Sequence, residues 1–243
     1  ADLFTGFPEQ IREEIRLKIT YYGHSCLLVE GGGKRVIIDP FLSGNPASRM
    51  NPSDVKADAV ILSHAHDDHF GDCIEIAAAN QCPIIAAFEL AMYCKQKGAE
   101  VHAMNIGGAW QFDGFRVKLT LAFHGSSLNE GDRYLYAGQP AGILLTMDGR
   151  TLYHAGDTAL FGDMKLIGEM NRIDVAALPI GDNFTMGPDD AAVAAQWVRT
   201  KRVIPIHYDT FPAIRQDTGY FASLLQKVGI ICHPLKIGDS IEI

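Results

Sequence analysis

Three histidines and two aspartates stand within six residues, in the segment His64-Ala65-His66-Asp67-Asp68-His69. Imidazole nitrogens and carboxylate oxygens are common ligands of transition metals. In an extended stretch His64 and His66 point to the same side, so both can reach one cation. Three imidazoles and a carboxylate packed this closely are costly without a cation between them. The alternative is a polar loop in which Asp67 or Asp68 caps a helix.

Further candidate ligands stand just past predicted buried strands: His124, Asp157 and His207. Sites in open α/β sheets gather beyond the carboxyl ends of strands. A single histidine after a strand is more often structural. Together with the H-x-H-x-D-H motif, the three positions predict one shared metal site.

The elements that position these residues read as two related halves, each with a run of strands followed by alternating strands and helices. The apolar strand 59–62 precedes the histidine motif, and a helix is predicted over 70–79. Another helix is predicted over 159–170, directly after Asp157. Two sheets packed face to face with helices outside suit this order, so the sequence predicts an α/β protein with an αββα sandwich.

The composition, with 47% hydrophobic and 21% charged residues among 243, excludes collagen, coiled coil and disorder. We expect a single domain over 17–243 and an N-terminal helical extension over 1–16.

The formal charge of −8 argues against a nucleic-acid partner, which a basic patch would suit. The lack of a long apolar run argues against a membrane span. Five cysteines without a C-x-x-C pair suggest free thiols and a cytoplasmic location.

The H-x-H-x-D-H motif, the downstream His124, Asp157 after an Ala-Gly turn and the late His207 resemble the metallo-β-lactamase superfamily over residues 17 to about 210. Four segments are similar to one branch, the metal-dependent hydrolases related to L-ascorbate-6-phosphate lactonase: Gly23-His24-Ser25, 38–42, 181–188 and 207–212. The resemblance implies an αββα fold that holds two adjacent divalent metal ions.

By motif position, the resemblance assigns each metal its own ligands. The first metal would take His64, His66 and His124. The second would take Asp68, His69 and His207. Asp157 would bridge them, in place of the thiolate that zinc β-lactamases use. Zinc is the first expectation, while manganese, iron or nickel suit the same ligands.

The implied activity is hydrolysis of an ester, lactone or phosphoester bond in a small metabolite, phosphorylated or not, by a hydroxide that bridges the two metals. A metal-bound water can titrate near ~7. Asp68 would orient this nucleophile and then pass a proton to the leaving group. The alternatives are a phosphodiesterase or nuclease of the same superfamily and a metal-binding protein without catalysis. A homo-oligomer is compatible with an apolar Ile11 and Ile15 face on the extension.

The roles of three residues near these ligands have two interpretations each. His24 follows the first strand and reaches the rim as a substrate contact or proton donor, or is a structural histidine. Asp39 orients a ligand histidine, or forms the turn before Pro40. His154 supports the ligands from behind or belongs to the core.

Four residues are candidate substrate contacts: Asp182, Asn183, Thr185 and Tyr208. The first three precede a helix that begins at Pro188, whose backbone N–H groups could hold an anion such as a phosphate. Capping by Gly187 with an acidic first turn is the alternative. Tyr208 is a candidate for stabilising an oxyanion.

Overall fold

Residues 17–243 are described by the structure, a computed structural model, and the helical extension predicted over 1–16 lies outside them. The strands are β1 Lys18–Gly23, β2 Cys26–Gly31, β3 Lys34–Ile38, β4 Ala59–Ile61, β5 Ile84–Ala87, β6 Val101–Met104, β7 Ala109–Gln111, β8 Phe115–Leu121, β9 Ser127–Asn129, β10 Tyr134–Tyr136, β11 Ala141–Met147, β12 Arg150–His154, β13 Val175–Pro179, β14 Arg202–Ile206, β15 Ile231–Cys232 and β16 Ser240–Glu242. The helices are α1 Asp67–Phe70, α2 Cys73–Asn80, α3 Phe88–Gln96, α4 Met164–Met170, α5 Pro188–Trp197 and α6 Thr218–Lys227. Two 3-10 turns cover Pro52–Asp54 and Pro212–Ile214.

The strands form two mixed seven-stranded sheets. The first sheet has the order β16-β1-β2-β3-β4-β5-β6, and the second has the order β15-β14-β13-β12-β11-β8-β7. Strands β9 and β10 pair as a separate ribbon. Within residues 17–243, no helix is long and apolar enough to cross a membrane.

Alternation of apolar side chains along the strands builds three layers of core. In β3, Val36 and Ile38 enter the cluster between the two sheets, whereas Ile37 faces the helices on the first sheet. In β11, Leu145 enters the same central cluster, and Leu144 faces the helices on the second sheet. The predicted αββα sandwich is confirmed.

The structure corrects two predicted helices. The helix expected over 70–79 is two helices, α1 and α2, separated at Gly71, where φ is +42°. A Cβ at Gly71 would lie 2.4 Å from the Pro40 carbonyl oxygen, so only glycine permits this close approach. The helix expected over 159–170 begins only at Met164. The preceding segment is held in the loop that follows β8, because Ala159 N–H donates a hydrogen bond to the Phe123 carbonyl.

Candidate metal centre

The seven predicted ligands come together where strands of both sheets end. His64 and His66 follow β4, and α1 carries Asp68 and His69. The loops after β8, β12 and β14 carry the remaining three ligands: His124, Asp157 and His207. The sheet-end position inferred from the sequence is therefore where these side chains meet.

The first trio consists of His64, His66 and His124. One nitrogen of each ring lies within 4.8 Å of one nitrogen of the others. His64 Nε2 is 3.0 Å from His66 Nδ1, and the three rings meet nearly edge to face. Because His64 Nδ1 contacts the Ser63 hydroxyl at 3.0 Å, its Nε2 is the nitrogen directed into the trio.

The second trio consists of Asp68, His69 and His207. Its ligand atoms, together with one nitrogen of His24, lie within 4.8 Å of one another, and His207 Nε2 is 3.8 Å from Asp68 Oδ2. The two imidazole rings stack with an interplanar angle of 20°. This trio therefore combines a carboxylate with two imidazoles, unlike the first.

The Asp157 carboxylate lies between the trios and is 2% exposed. Its Oδ2 is 3.5 Å from His124 Nε2 and 3.0 Å from His207 Nε2. Its Oδ1 is 3.2 Å from His69 Nε2. One carboxylate thus faces ligands of both trios.

Several of these buried atoms lack a hydrogen-bond partner. His69 Nε2 and Asp157 Oδ1 are fully buried without one, although they face each other. Buried polar atoms are almost always satisfied, so orphaned atoms at a convergence of ligands need an explanation. Imidazole nitrogens and a carboxylate aimed at a common space fit divalent cations.

Asp39 and Ser63 support ligands of both trios from behind. Asp39 is fully buried, and its Oδ2 lies 2.8 Å from His69 Nδ1. The same oxygen accepts from the Ser63 hydroxyl at 2.6 Å, and Ser63 N–H donates to Oδ1. Ser63 in turn contacts His64, so one carboxylate orients a histidine in each trio. Such outer partners fix the tautomer of a ligand histidine.

His24 was expected at the rim, but the structure places it beneath the rim with 1% exposure. Its Nε2 is 3.1 Å from Asp68 Oδ2, and its Nδ1 is 2.8 Å from the Thr210 hydroxyl. Both ring nitrogens are occupied, which favours the structural interpretation of His24 over a direct substrate contact. Burial lowers the pKa of His24 to about 4, so the ring is neutral near pH 7.

His154 is buried and binds the turn that carries His24. Its Nε2 donates to the Ser25 carbonyl at 2.8 Å, and its Nδ1 accepts from Gly156 N–H at 3.1 Å. It therefore links the second sheet to the Gly23–Ser25 turn rather than contacting the ligands themselves.

The surroundings shift the pKa of His69 and the pKa values of the three first-trio histidines in opposite directions. Burial lowers the pKa of His64 well below its usual value, and it lowers those of His66 and His124 as well. Burial alone would lower the pKa of His69, but the Asp157 and Asp39 carboxylates outweigh it and hold this pKa well above the usual value. A metal-free first trio is therefore neutral, whereas the second carries an extra proton.

Three residues of the site have a left-handed backbone. The φ angles are 54° at His24, 47° at Asp39 and 53° at His207. Such conformations cost about 1–3 kcal/mol each in non-glycine residues and persist where surrounding contacts enforce them. Here each follows a strand and turns its side chain toward the ligand cluster, where His207 is a ligand and His24 and Asp39 contact ligands.

The loop that carries Asp182, Asn183 and Thr185 borders the centre. Met186 N–H donates to the Thr158 carbonyl, and Gly181 packs against His207. Asp182 and Asn183 are exposed, but the Thr185 hydroxyl donates to the Met186 carbonyl. The loop is beside the ligands, while its side chains remain outside the seven-residue cluster.

The start of α5 has the features of an ordinary helix cap, which was the alternative to an anion-binding site. Gly187 is the N-cap, and Pro188 supplies no N–H group. Asp189 and Asp190 occupy the first turn and bring negative charge to the place where an anion would bind. These features do not favour a phosphate at this helix.

Tyr208 lies apart from the ligand cluster. Its ring packs against the apolar core between the second sheet and its helices. It also lines a cavity of about 220 Å³ behind His24, together with Tyr21 and Ile237. Burial raises the pKa of Tyr208 to about 12. The structure does not bring it to the metal centre as an oxyanion donor.

Sequence reasoning missed two hydroxyl groups of the site, those of Ser63 and Thr210. Ser63 stands directly before the histidine motif, so its position was a usable signal. Thr210 contacts a residue 186 positions away, and nothing local to it indicates that partner.

Comparisons with known proteins show which family the chain belongs to. A family described as "Beta-lactamase superfamily domain" matches residues 18–207. A UPF0173 metal-dependent hydrolase of Geobacillus sp. is 56% identical, covering 93% of this chain and all of that protein. One from Anoxybacillus flavithermus is 54% identical with the same coverage. The solved structure of Igni18, a metallo hydrolase from Ignicoccus hospitalis, is 35% identical with a TM-score of 0.85, covering 94% of this chain and 98% of that one. The chain therefore belongs to the metallo-β-lactamase superfamily, among the UPF0173 metal-dependent hydrolases.

Proposed function

We propose that this metal-dependent hydrolase works with two divalent cations, and that it cleaves an ester, lactone or phosphoester bond of a small metabolite. The first cation is held by His64, His66 and His124, and the second by Asp68, His69 and His207. Asp157 contributes to both.

The observation that carries the proposal is the position of the Asp157 carboxylate. Its Oδ2 lies 3.5 Å from His124 Nε2 of the first trio, and its Oδ1 lies 3.2 Å from His69 Nε2 of the second. Asp157 Oδ1 and His69 Nε2 are buried and lie 3.2 Å apart without a well-formed hydrogen bond. Two cations that share this carboxylate would satisfy both atoms.

When bound, such cations acidify water and polarise the oxygen of a scissile carbonyl or phosphoryl group. The protein's own contribution is to place a proton acceptor beside that chemistry. Asp68 is suited to this role because its side chain is 28% exposed, whereas the other carboxylate of the cluster is buried. We propose that Asp68 orients the attacking water and passes a proton to the leaving group.

Zinc is our first assignment for both positions, because five of the seven ligands are imidazoles and the sites combine nitrogen with carboxylate oxygen. Manganese, iron and nickel accept the same donors. Metal analysis after purification, without added metal, distinguishes these ions.

The loop over 181–187 is our proposed substrate-contacting segment, through Asp182, Asn183 and Thr185. Because the start of α5 does not favour an anion, esters and lactones of uncharged metabolites are the first substrates to test. Phosphorylated lactones and phosphodiesters form the second arm.

The test is to load the purified chain with zinc and assay ester, lactone, thioester and phosphodiester panels. We expect two cations per chain and hydrolysis in the first arm. Asp68→Asn should lower kcat, while Asp67→Asn is the matched control because Asp67 is the exposed neighbour in the same helix. A fully loaded chain that is inert on every panel would contradict the proposed bond classes. Activity on phosphodiesters alone would favour the phosphodiesterase alternative.

A further inference from the structure

We infer that Thr210 is a positioning residue, which fixes the tautomer of His24 so that His24 holds the Asp68 carboxylate in place. The inference rests on the proposed function in that Asp68 is taken as a ligand of the second cation. In this inference His24 holds a ligand in place and does not contact substrate, and Thr210 acts on the metal centre through His24.

The hydrogen bonds of His24 determine where its proton lies. A carboxylate only accepts hydrogen bonds, so the contact of 3.1 Å with Asp68 Oδ2 requires a proton on His24 Nε2. A neutral imidazole then has an unprotonated Nδ1, which can only accept. The Thr210 hydroxyl, 2.8 Å from this nitrogen, is therefore the donor.

The alternative partner of the Thr210 hydroxyl is weaker. The Tyr208 carbonyl lies 3.4 Å from Thr210 Oγ1, against 2.8 Å for the His24 nitrogen. A hydroxyl has one proton, so it donates fully to one of the two. The shorter contact selects His24.

His24 is well placed to transmit this constraint because its ring cannot easily turn. Its ring centroid is 4.3 Å from that of His207, 5.6 Å from Phe41 and 5.8 Å from Phe211. Within residues 17–243, His24 makes the side-chain hydrogen bond that holds the Asp68 carboxylate. A ring fixed on all sides can thus set the rotation of a carboxylate that is otherwise partly exposed.

The backbone of the same turn holds the second trio from the other sheet. The His24 carbonyl accepts from His207 N–H at 2.8 Å and from the Tyr21 hydroxyl at 3.2 Å. The adjacent Ser25 carbonyl accepts from His154. His24 therefore contacts two ligands of the second trio, one through its side chain and one through its backbone.

The test compares Thr210→Val, which removes the hydroxyl at nearly constant shape, with Thr210→Ser, which keeps it. In the metal-free chain labelled with ¹⁵N-histidine, long-range ¹H–¹⁵N spectra report the tautomer of each imidazole. We expect the Nε2–H tautomer for His24 in the wild type and in Thr210→Ser, and a mixture in Thr210→Val. Identical His24 signals in all three proteins would overturn the inference.

The second measurement is zinc titration of the same proteins. Thr210→Val should weaken the second binding step by roughly 10-fold or more, while the first step is unchanged. In the loaded Thr210→Val enzyme, kcat should fall while KM is unchanged. Thr210→Ser should have the wild-type kcat and the wild-type affinity for the second zinc ion. If the tautomer changes but zinc affinity does not, the positioning role is overturned. If the wild type itself binds no second cation, the proposed function fails while the tautomer result still stands.

A further variant guards against a fold defect in Thr210→Val. His24→Gln keeps an N–H donor near the Nε2 position, whereas His24→Leu has none. We expect second-site zinc affinity to be higher in His24→Gln than in His24→Leu at equal Tm. Equal affinities would contradict the role of His24 as the donor to Asp68.

Discussion

The two ligand trios of the centre differ in how the protein prepares them for a cation. The first trio is made of imidazoles alone, and burial lowers the pKa of each. The second trio contains Asp68, and carboxylates on both sides of His69 hold the pKa of that histidine well above the usual value. A cation can enter the first trio at neutral pH without displacing a proton, whereas entry into the second releases one.

Adjacent sites with similar ligands therefore need not bind a cation in the same way. The first trio is supported by Ser63, which Asp39 holds in turn, whereas the second is supported directly by Asp39 and His24. Ligands must be deprotonated to bind metal, so the second site is the more dependent on pH and on its supports. We expect the first site to fill first as pH is raised from 5 to 7.

The largest effect should come from Asp157→Ala, because that carboxylate is common to both trios. Loss of metal-based stabilisation amounts to several kcal/mol, so we expect a loss of activity on the order of 10³-fold or more. Metal analysis should show loss of at least one cation. A chain that holds a single cation, unaffected by the substitution, would contradict the shared carboxylate.

Separate removal of one ligand from each trio should distinguish the two sites. His66→Ala should abolish hydrolysis and weaken the first binding step, and His69→Ala should weaken the second. Both losses should exceed the ~10²-fold that outer hydrogen-bond partners cost. His102→Ala is the control, because His102 packs against Trp110 and Phe112 away from the cluster. Full activity in His66→Ala with an intact fold would remove the first trio from the mechanism.

The histidine motif could be predicted from the sequence because its spacing and its strand-to-helix position are local properties. His124, Asp157 and His207 also followed from their positions after strands, since strand ends of one sheet edge meet in space. The paired sheets followed from the order of strands and helices.

Features that depend on distant contacts could not be predicted. The residue pair Thr210 and His24 joins the two sheets across 186 positions. The left-handed backbone at His207 turns the chain, and the half-buried Tyr208 ring packs against the apolar core beside the second sheet. The β9–β10 ribbon was missed because each of its strands has only three residues, too few for a clear alternation.

Removal of the outer supports should produce an intermediate effect that differs between the sites. Asp39→Asn should weaken the second binding step by 10- to 100-fold, because it disturbs the orientation and charge balance of His69. Ser63→Ala should weaken mainly the first step and by less, since it removes only the hydroxyl next to His64 Nδ1. Zinc titration of both variants gives the comparison. Equal effects of each variant on both steps would mean that neither Asp39 nor Ser63 acts mainly on one trio.

The smallest effect concerns the stability of the metal-free chain. Histidine in an unfolded chain titrates near ~6.5. The lowered pKa of His64 gives stability that is present above that pH and is lost as pH falls. The raised pKa of His69 gives stability that is present below that pH and is lost as pH rises. Between about pH 6.5 and 7.5, His69 should therefore lower the free energy of unfolding by at most ~1.4 kcal/mol per pH unit.

Urea unfolding followed by tryptophan fluorescence measures this slope. His69→Asn should remove the decline, while His64→Asn should keep it and reduce the loss of stability below pH 6.5. The same slope in both variants would show that the two trios do not differ in protonation.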